Sequence, residues 1–288
     1  MKNTTFFVLL FLLAFACEYC HAADSNTSDF IGKLSYKEYK GVKYHYYIPE
    51  SAKSKRKTPL KLLVLVHGRG LNPDVYAKRW FDVAEERGVA LVAPLFDKKT
   101  FPNYNRLNIK KTRADLKLLQ IIEDLNVLWP VNTQKFFIYG HSAGAQFAHR
   151  FAMVHPNRII KGVASCAGNY TFPDPAVKYH YGIGQIPGTN DIEFNVDAFV
   201  QLHFAVIVGE LDIDPNEAGG TEAQGKNRIE RAWNFYNAMK EYAKNKEIPF
   251  NLQFAKISKV GHSSKGTTPW AKKYLFNYGA GIRKRKRN

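Results

Sequence analysis

Apolar residues in this chain gather in short, nearly unbroken runs separated by polar, helical or irregular stretches. Leu60 to Val66, Val89 to Pro94, Lys135 to Tyr139, Ile159 to Ala167 and Phe204 to Val208 are such runs. A run of this length without polar alternation marks a strand covered on both faces. Between the runs the spacing changes. Leu116, Leu119, Ile122, Leu125 and Leu128 recur at helical intervals, and Pro130 closes that helix. Trp80 to Arg87, Ala145 to His155, Ala223 to Lys246 and Pro269 to Tyr278 predict further helices, and Phe250 to Ile257 a last strand. Nearer the start, Lys33 to Tyr39 and Val42 to Ile48 flank Lys40-Gly41. They predict an antiparallel hairpin with Val42, Tyr44, Tyr46 and Ile48 on one face. The alternation from Leu60 onward predicts an α/β architecture, a mostly parallel twisted sheet with helices on both faces. Residues 168–201 break the rhythm with Pro173, Pro175, Pro187 and several aromatics. A connection that long inside a compact domain reads as a lid-like insertion.

The two ends carry different signals. Met1-Lys2, the apolar stretch Phe6 to Ala16 and the small residues before Asp24 describe an export signal, with cleavage expected after Ala22. The expected layout is therefore a signal peptide over 1–22, one domain over 23–281 and a basic tail over 282–288. Cleavage would remove Cys17 and Cys20, leaving Cys166 in an apolar run as a core residue without a disulfide partner. The net charge is +17, and Arg283, Lys284, Arg285, Lys286 and Arg287 supply five of those charges. Such a tail offers contact with a polyanion, whether nucleic acid, anionic lipid or another polymer. Asn26 and Asn169 open N-x-S/T patterns. No H-E-x-x-H and no P-loop occurs, so neither a metal nor a cofactor is expected.

The chemistry centres on Gly140-His141-Ser142-Ala143-Gly144, set between an apolar strand and a helix. A strand, a sharp glycine-flanked turn and a helix is the context in which G-x-S-x-G presents a nucleophile. A serine hydroxyl is weakly nucleophilic, so it needs a base, and the base an acid to orient it. On this architecture both come from later strand ends, in the order serine, acid, histidine. After Val208 the only histidine is His262, in Val260-Gly261-His262. The acid is Asp212, with Asp214 as the alternative, from the loop after Phe204 to Val208. An oxyanion formed on the substrate would meet the backbone N–H groups of Ala143 and of Arg69, the latter in His67-Gly68-Arg69-Gly70. Phe101, Tyr104, Tyr170 and Phe172, in two irregular loops, are candidate pocket-lining aromatics.

On these residues the chain from about Leu60 to Tyr278 resembles the α/β-hydrolase superfamily. The His67-Gly68 turn, the Ser142 elbow, Gly209-x-x-Asp212 and Gly261-His262 carry the match. Within it the chain is similar to exported serine esterases related to polyhydroxyalkanoate depolymerases and feruloyl esterases. The resemblance implies hydrolysis of a small-molecule or polymeric ester through an acyl-enzyme on Ser142, in a secreted or periplasmic protein. Two other readings are a peptidase of the same fold and a non-catalytic protein that binds a polyanion on a hydrolase scaffold.

Overall fold

The computed structural model describes residues 30–54, 58–107, 112–185, 192–213 and 222–278. The signal segment, Asn26, Pro187, Asp214 and the basic tail lie outside the described residues. A hairpin of β1 (Leu34–Tyr39) and β2 (Val42–Tyr47) opens the fold. Six strands follow, β3 (Lys61–Val66), β4 (Val89–Pro94), β5 (Phe136–His141), β6 (Ile159–Ser165), β7 (Phe204–Gly209) and β8 (Gln253–Ile257). They form one eight-stranded sheet in the order β1-β2-β4-β3-β5-β6-β7-β8. The β1–β2 and β2–β4 pairs are antiparallel and every other pair is parallel.

The apolar runs are strands because both of their faces are covered. In β3, Leu62, Val64 and Val66 enter one core while Leu63 and Leu65 enter the other. β7 divides in the same way, with Phe204, Val206 and Val208 on one side and Ala205 and Ile207 opposite. Alternation is present in space but hidden in the sequence, since each side must be apolar. Each fully buried Leu, Val or Phe contributes on the order of 2 kcal/mol. One face is covered by α3 (Ala114–Leu128), α4 (Ala143–Val154), α5 (Val196–Val200) and α6 (Arg228–Asn245). The other is covered by α1 (Pro73–Lys78), α2 (Phe81–Arg87) and α7 (Ser264–Phe276). Among the described residues no helix is long and apolar enough to cross a membrane.

Three expectations are corrected. The core stripe of α3 runs through Leu118, Ile121, Ile122 and Leu125, whereas Leu116 is 44 % exposed. Helix α6 starts at Arg228 rather than Ala223, because Gly225 breaks the backbone at φ +144° and the Asn227 side chain caps Glu230 N–H. Helix α7 starts at Ser264, ahead of Pro269. Ser263 caps Gly266 N–H, and the proline sits inside the helix, not at its entrance.

The segment after β6 is held down from below. Arg150, fully buried in α4, donates to the Asn105 carbonyl, Gln146, Asn169 Oδ1, Thr171 Oγ1 and the His180 carbonyl at 2.6–3.3 Å. Tyr170 stacks on Phe235 at 4.6 Å. Asn169 is itself buried and bonded to Arg150, which removes it as a glycan acceptor.

Candidate active site

Strand β5 and helix α4 meet at Ser142 with no intervening loop. Ser142 adopts φ +56° and ψ −119°, a conformation that side chains seldom tolerate and that costs on the order of 1–3 kcal/mol. The glycines make it attainable. A Cβ on Gly140 would overlap the Gly144 carbonyl, and one on Gly144 would overlap the Val66 carbonyl of the adjacent strand. Ser142 N–H donates to the Ser165 carbonyl at 2.8 Å, which anchors the turn to β6. The hydroxyl is left at the rim of a cleft of about 470 Å³ that His262, Gly68 and Arg69 also line.

Across that cleft, His262 Nδ1 donates to Asp212 Oδ2 at 2.8 Å. This bond fixes the tautomer, since the proton sits on Nδ1 and Nε2 is left as an acceptor. Asp212 is almost wholly buried at the end of β7, while the His262 side chain is 33 % exposed. No hydrogen bond joins Ser142 to His262 among the described residues; the two share the cleft. Asp212 Oδ1 takes a second partner, Arg228 Nη1, at 2.5 Å. Burial works against the Asp212 charge, but the His262 hydrogen bond, its charge and that of Arg228 hold the carboxyl below the usual carboxylate range. Arg228 escapes the sequence reading. A basic residue in the first turn of α6 opposes the helix dipole, and that local misfit is the one sequence signal it leaves.

The remaining candidates fall into two groups. Arg69 lines the cleft and also a neighbouring cavity of about 280 Å³, which Ala143, Phe101 and Tyr104 line as well. Ala143 N–H opens α4 and so has no acceptor within the helix. Tyr170 and Phe172 do not line either space; they pack on the core around Phe235. Nor does any described residue of the 168–201 insertion line them.

Other histidines near the site are structural. His67 Nδ1 donates to the Gly68 carbonyl at 2.7 Å and Nε2 accepts Phe96 N–H at 3.0 Å, with burial pushing its pKa down to about 4. His141, whose ring lies 4.8 Å from that of His262, is pushed down to about 3, first by burial and then by the His262 charge. Both stay neutral and add no charge near Ser142. Cys166 is buried, and its thiol is pushed up to about 12 by burial and then by Asp212. Its sulfur and ligand atoms of Asp212 and His262 lie within 4.8 Å of one another. As a metal site the set is poor: Asp212 already serves Arg228, whose charge repels a cation, and the thiol resists ionisation.

No protein-family model matches the sequence, and no curated protein matches it. Solved structures do. Poly(aspartic acid) hydrolase-1 from Sphingomonas sp. KT-1 aligns with 26 % identity and a TM-score of 0.73, over 83 % of this chain and 97 % of that one. LpqC, a poly(3-hydroxybutyrate) depolymerase from Bordetella parapertussis, aligns at 20 % identity and 0.74, over 88 % and 96 %. FphF, a fluorophosphonate-binding serine hydrolase from Staphylococcus aureus, aligns at 16 % and 0.54, over 86 % and 93 %.

Proposed function

We propose that this chain, which has the α/β-hydrolase fold, is an exported serine hydrolase that cleaves carboxylic esters. The observation that carries the reading is the Asp212–His262 pair, which presents Nε2 to the same cleft as a serine held on a strained elbow. In this reading His262 Nε2 takes the Ser142 proton as Oγ attacks the ester carbonyl. The hydrogen bond between these two closes with substrate in place, as is usual when a free site fills. Asp212 keeps the ring oriented and offsets the imidazolium charge. Negative charge on the carbonyl oxygen meets the N–H groups of Arg69 and Ala143, each worth on the order of 3 kcal/mol to the transition state. His262 then protonates the departing alcohol, and water drawn in by the same imidazole releases the acid from Ser142.

The names of two similar structures, a poly(aspartic acid) hydrolase and a poly(3-hydroxybutyrate) depolymerase, support a hydrolytic role and leave room for a polymeric substrate. The apolar leader supports export to the periplasm or beyond. The test is Ser142→Ala assayed with a short-chain chromogenic ester and a fluorophosphonate probe. Turnover should fall by on the order of 10⁴ or more, and labelling should vanish. Full activity in the variant would end this reading, and a panel of peptide amides cleaved in preference to esters would replace it with a peptidase. Retention on heparin after deletion of residues 283–288 separates the body's charge from the tail's contribution to polyanion contact.

A further inference from the structure

The two spaces that flank Ser142 share an unusual composition. The cleft is lined by Arg69, Arg79 and Lys265, the adjoining cavity by Arg69, Lys98 and Arg106, and among the described residues no carboxylate lines either one. Elsewhere inward-facing cations are satisfied, either by an acid, as Arg113 by Asp115, Arg228 by Asp212 and Lys37 by Asp124, or by a full set of neutral acceptors, as Arg150 is. Among the described residues Arg69, Lys98 and Arg106 have no acidic partner. Asp97, the neighbour of Lys98 in sequence, spends Oδ1 on the N–H groups of Lys99 and Thr100. Arg106 is half-buried, and its Nε lacks any hydrogen-bond partner. Its uncompensated field reaches His180, whose pKa is pushed down to about 3 by burial, then by Arg150 and Arg106.

A basic surface patch would be solvated and indifferent. This cavity differs because Phe96, Phe101 and Tyr104 wall it and strip water from whatever enters. Arg69 and Lys98 are exposed, but Arg106 is half-buried with its Nε shut from solvent; such a guanidinium favours an anion over a neutral group, and its planar fork matches a carboxylate best. Position fixes which part of the substrate is read. His262, which must hand a proton to the leaving group, lines the cleft but not this cavity. Ala143, the residue after the nucleophile, lines the cavity. The cavity therefore lies beyond the oxyanion donors, on the acyl side.

We propose that this cavity is an acyl subsite for a carboxylate, so that the preferred substrates are esters of acids bearing a second, ionised carboxyl group, held by Arg106 and Lys98. The inference rests on the serine-esterase reading above. Its test is a matched pair of substrates, the 4-nitrophenyl monoester of adipic acid and the same compound with its free carboxyl capped as a methyl ester. Release of nitrophenolate reports the same bond in both. The charged member is expected to have a kcat/KM about tenfold higher at low salt, the preference fading as salt rises. Arg106→Met should remove about tenfold from that ratio and Arg106→Lys should restore part of it, while near-equal melting temperatures exclude misfolding as the cause. A ratio at or below one in the wild type overturns the subsite. So does a preference seen only when the carboxylate is moved to the leaving group, as in 3-carboxy-4-nitrophenyl hexanoate against 4-nitrophenyl hexanoate. If neither member of the adipate pair is cleaved, the esterase reading itself has failed.

Discussion

The protein contains two clusters built from the same three residue types. In one, Asp212 binds His262 and Arg228; in the other, Asp115 binds His155 and Arg113. Both carboxylates are buried, and both are held below the usual range against the opposing effect of burial. The difference lies in which atoms are spent. His262 uses Nδ1 and keeps Nε2 for the cleft, whereas His155 uses Nε2, the outer nitrogen, on Asp115 Oδ2. Arg228 takes one oxygen of its aspartate with one nitrogen, whereas Arg113 grips both oxygens of Asp115 at 2.8 and 2.5 Å. The His155 ring is packed on Phe151 at 4.7 Å, and its side chain is only 18 % exposed. An Asp-His pair is thus no sign of catalysis by itself. What matters is a free ring nitrogen facing a space that also holds a nucleophile.

The comparison breaks most visibly in turnover. Asp212→Asn should lower kcat by on the order of 10⁴, through loss of the orienting acceptor and the wrong imidazole tautomer, while Asp115→Asn should leave kcat within about twofold. Equal losses in the two variants would erase the distinction. Stability should answer in the opposite place. Asp115→Asn leaves Arg113 buried without its bidentate partner and should cost about 3 kcal/mol by urea unfolding. Because the Asp115 carboxyl is depressed in the folded state, its contribution is complete above the unfolded value near 4 and is lost as pH falls through the folded one. The wild type should therefore lose stability below about pH 4, and the variant should follow a shallower curve there. The smallest effect sharpens the contrast from within the first cluster. Arg228→Met frees one Asp212 oxygen and should lower kcat about tenfold with KM unchanged, Arg228→Lys recovering part of it. A change confined to KM would show that Arg228 touches substrate instead of positioning Asp212.

Much of this arrangement is legible in the sequence, and for physical reasons. The doubly buried strands appear as apolar runs, and the elbow has a backbone constraint that only glycine at 140 and 144 satisfies. Chain order singles out His262 and leaves Asp212 and Asp214 as acids; the bond to His262 is made by Asp212, and Asp214 lies outside the described residues. Helices α1 and α5 escape detection because six and five residues are too few to display a period. Arg228, Arg106 and Lys98 escape for another reason. Their meaning lies in what does or does not stand opposite them, and sequence separation hides that. The aromatics Phe101 and Tyr170 look alike along the chain, each in an irregular loop, yet Phe101 borders a cavity and Tyr170 lies in the core.

Arg150 ties the loop at Asn105 to the segment at Asn169, Thr171 and His180, although these lie far apart along the chain. Both anchor points depend on one guanidinium rooted in the helix that begins beside Ser142. Neither loop can peel away alone without breaking bonds that the other shares. Amide protons of the two should therefore exchange with deuterium as a single cooperative unit, and a drifting floor beneath Ser142 is traded for one that opens all at once.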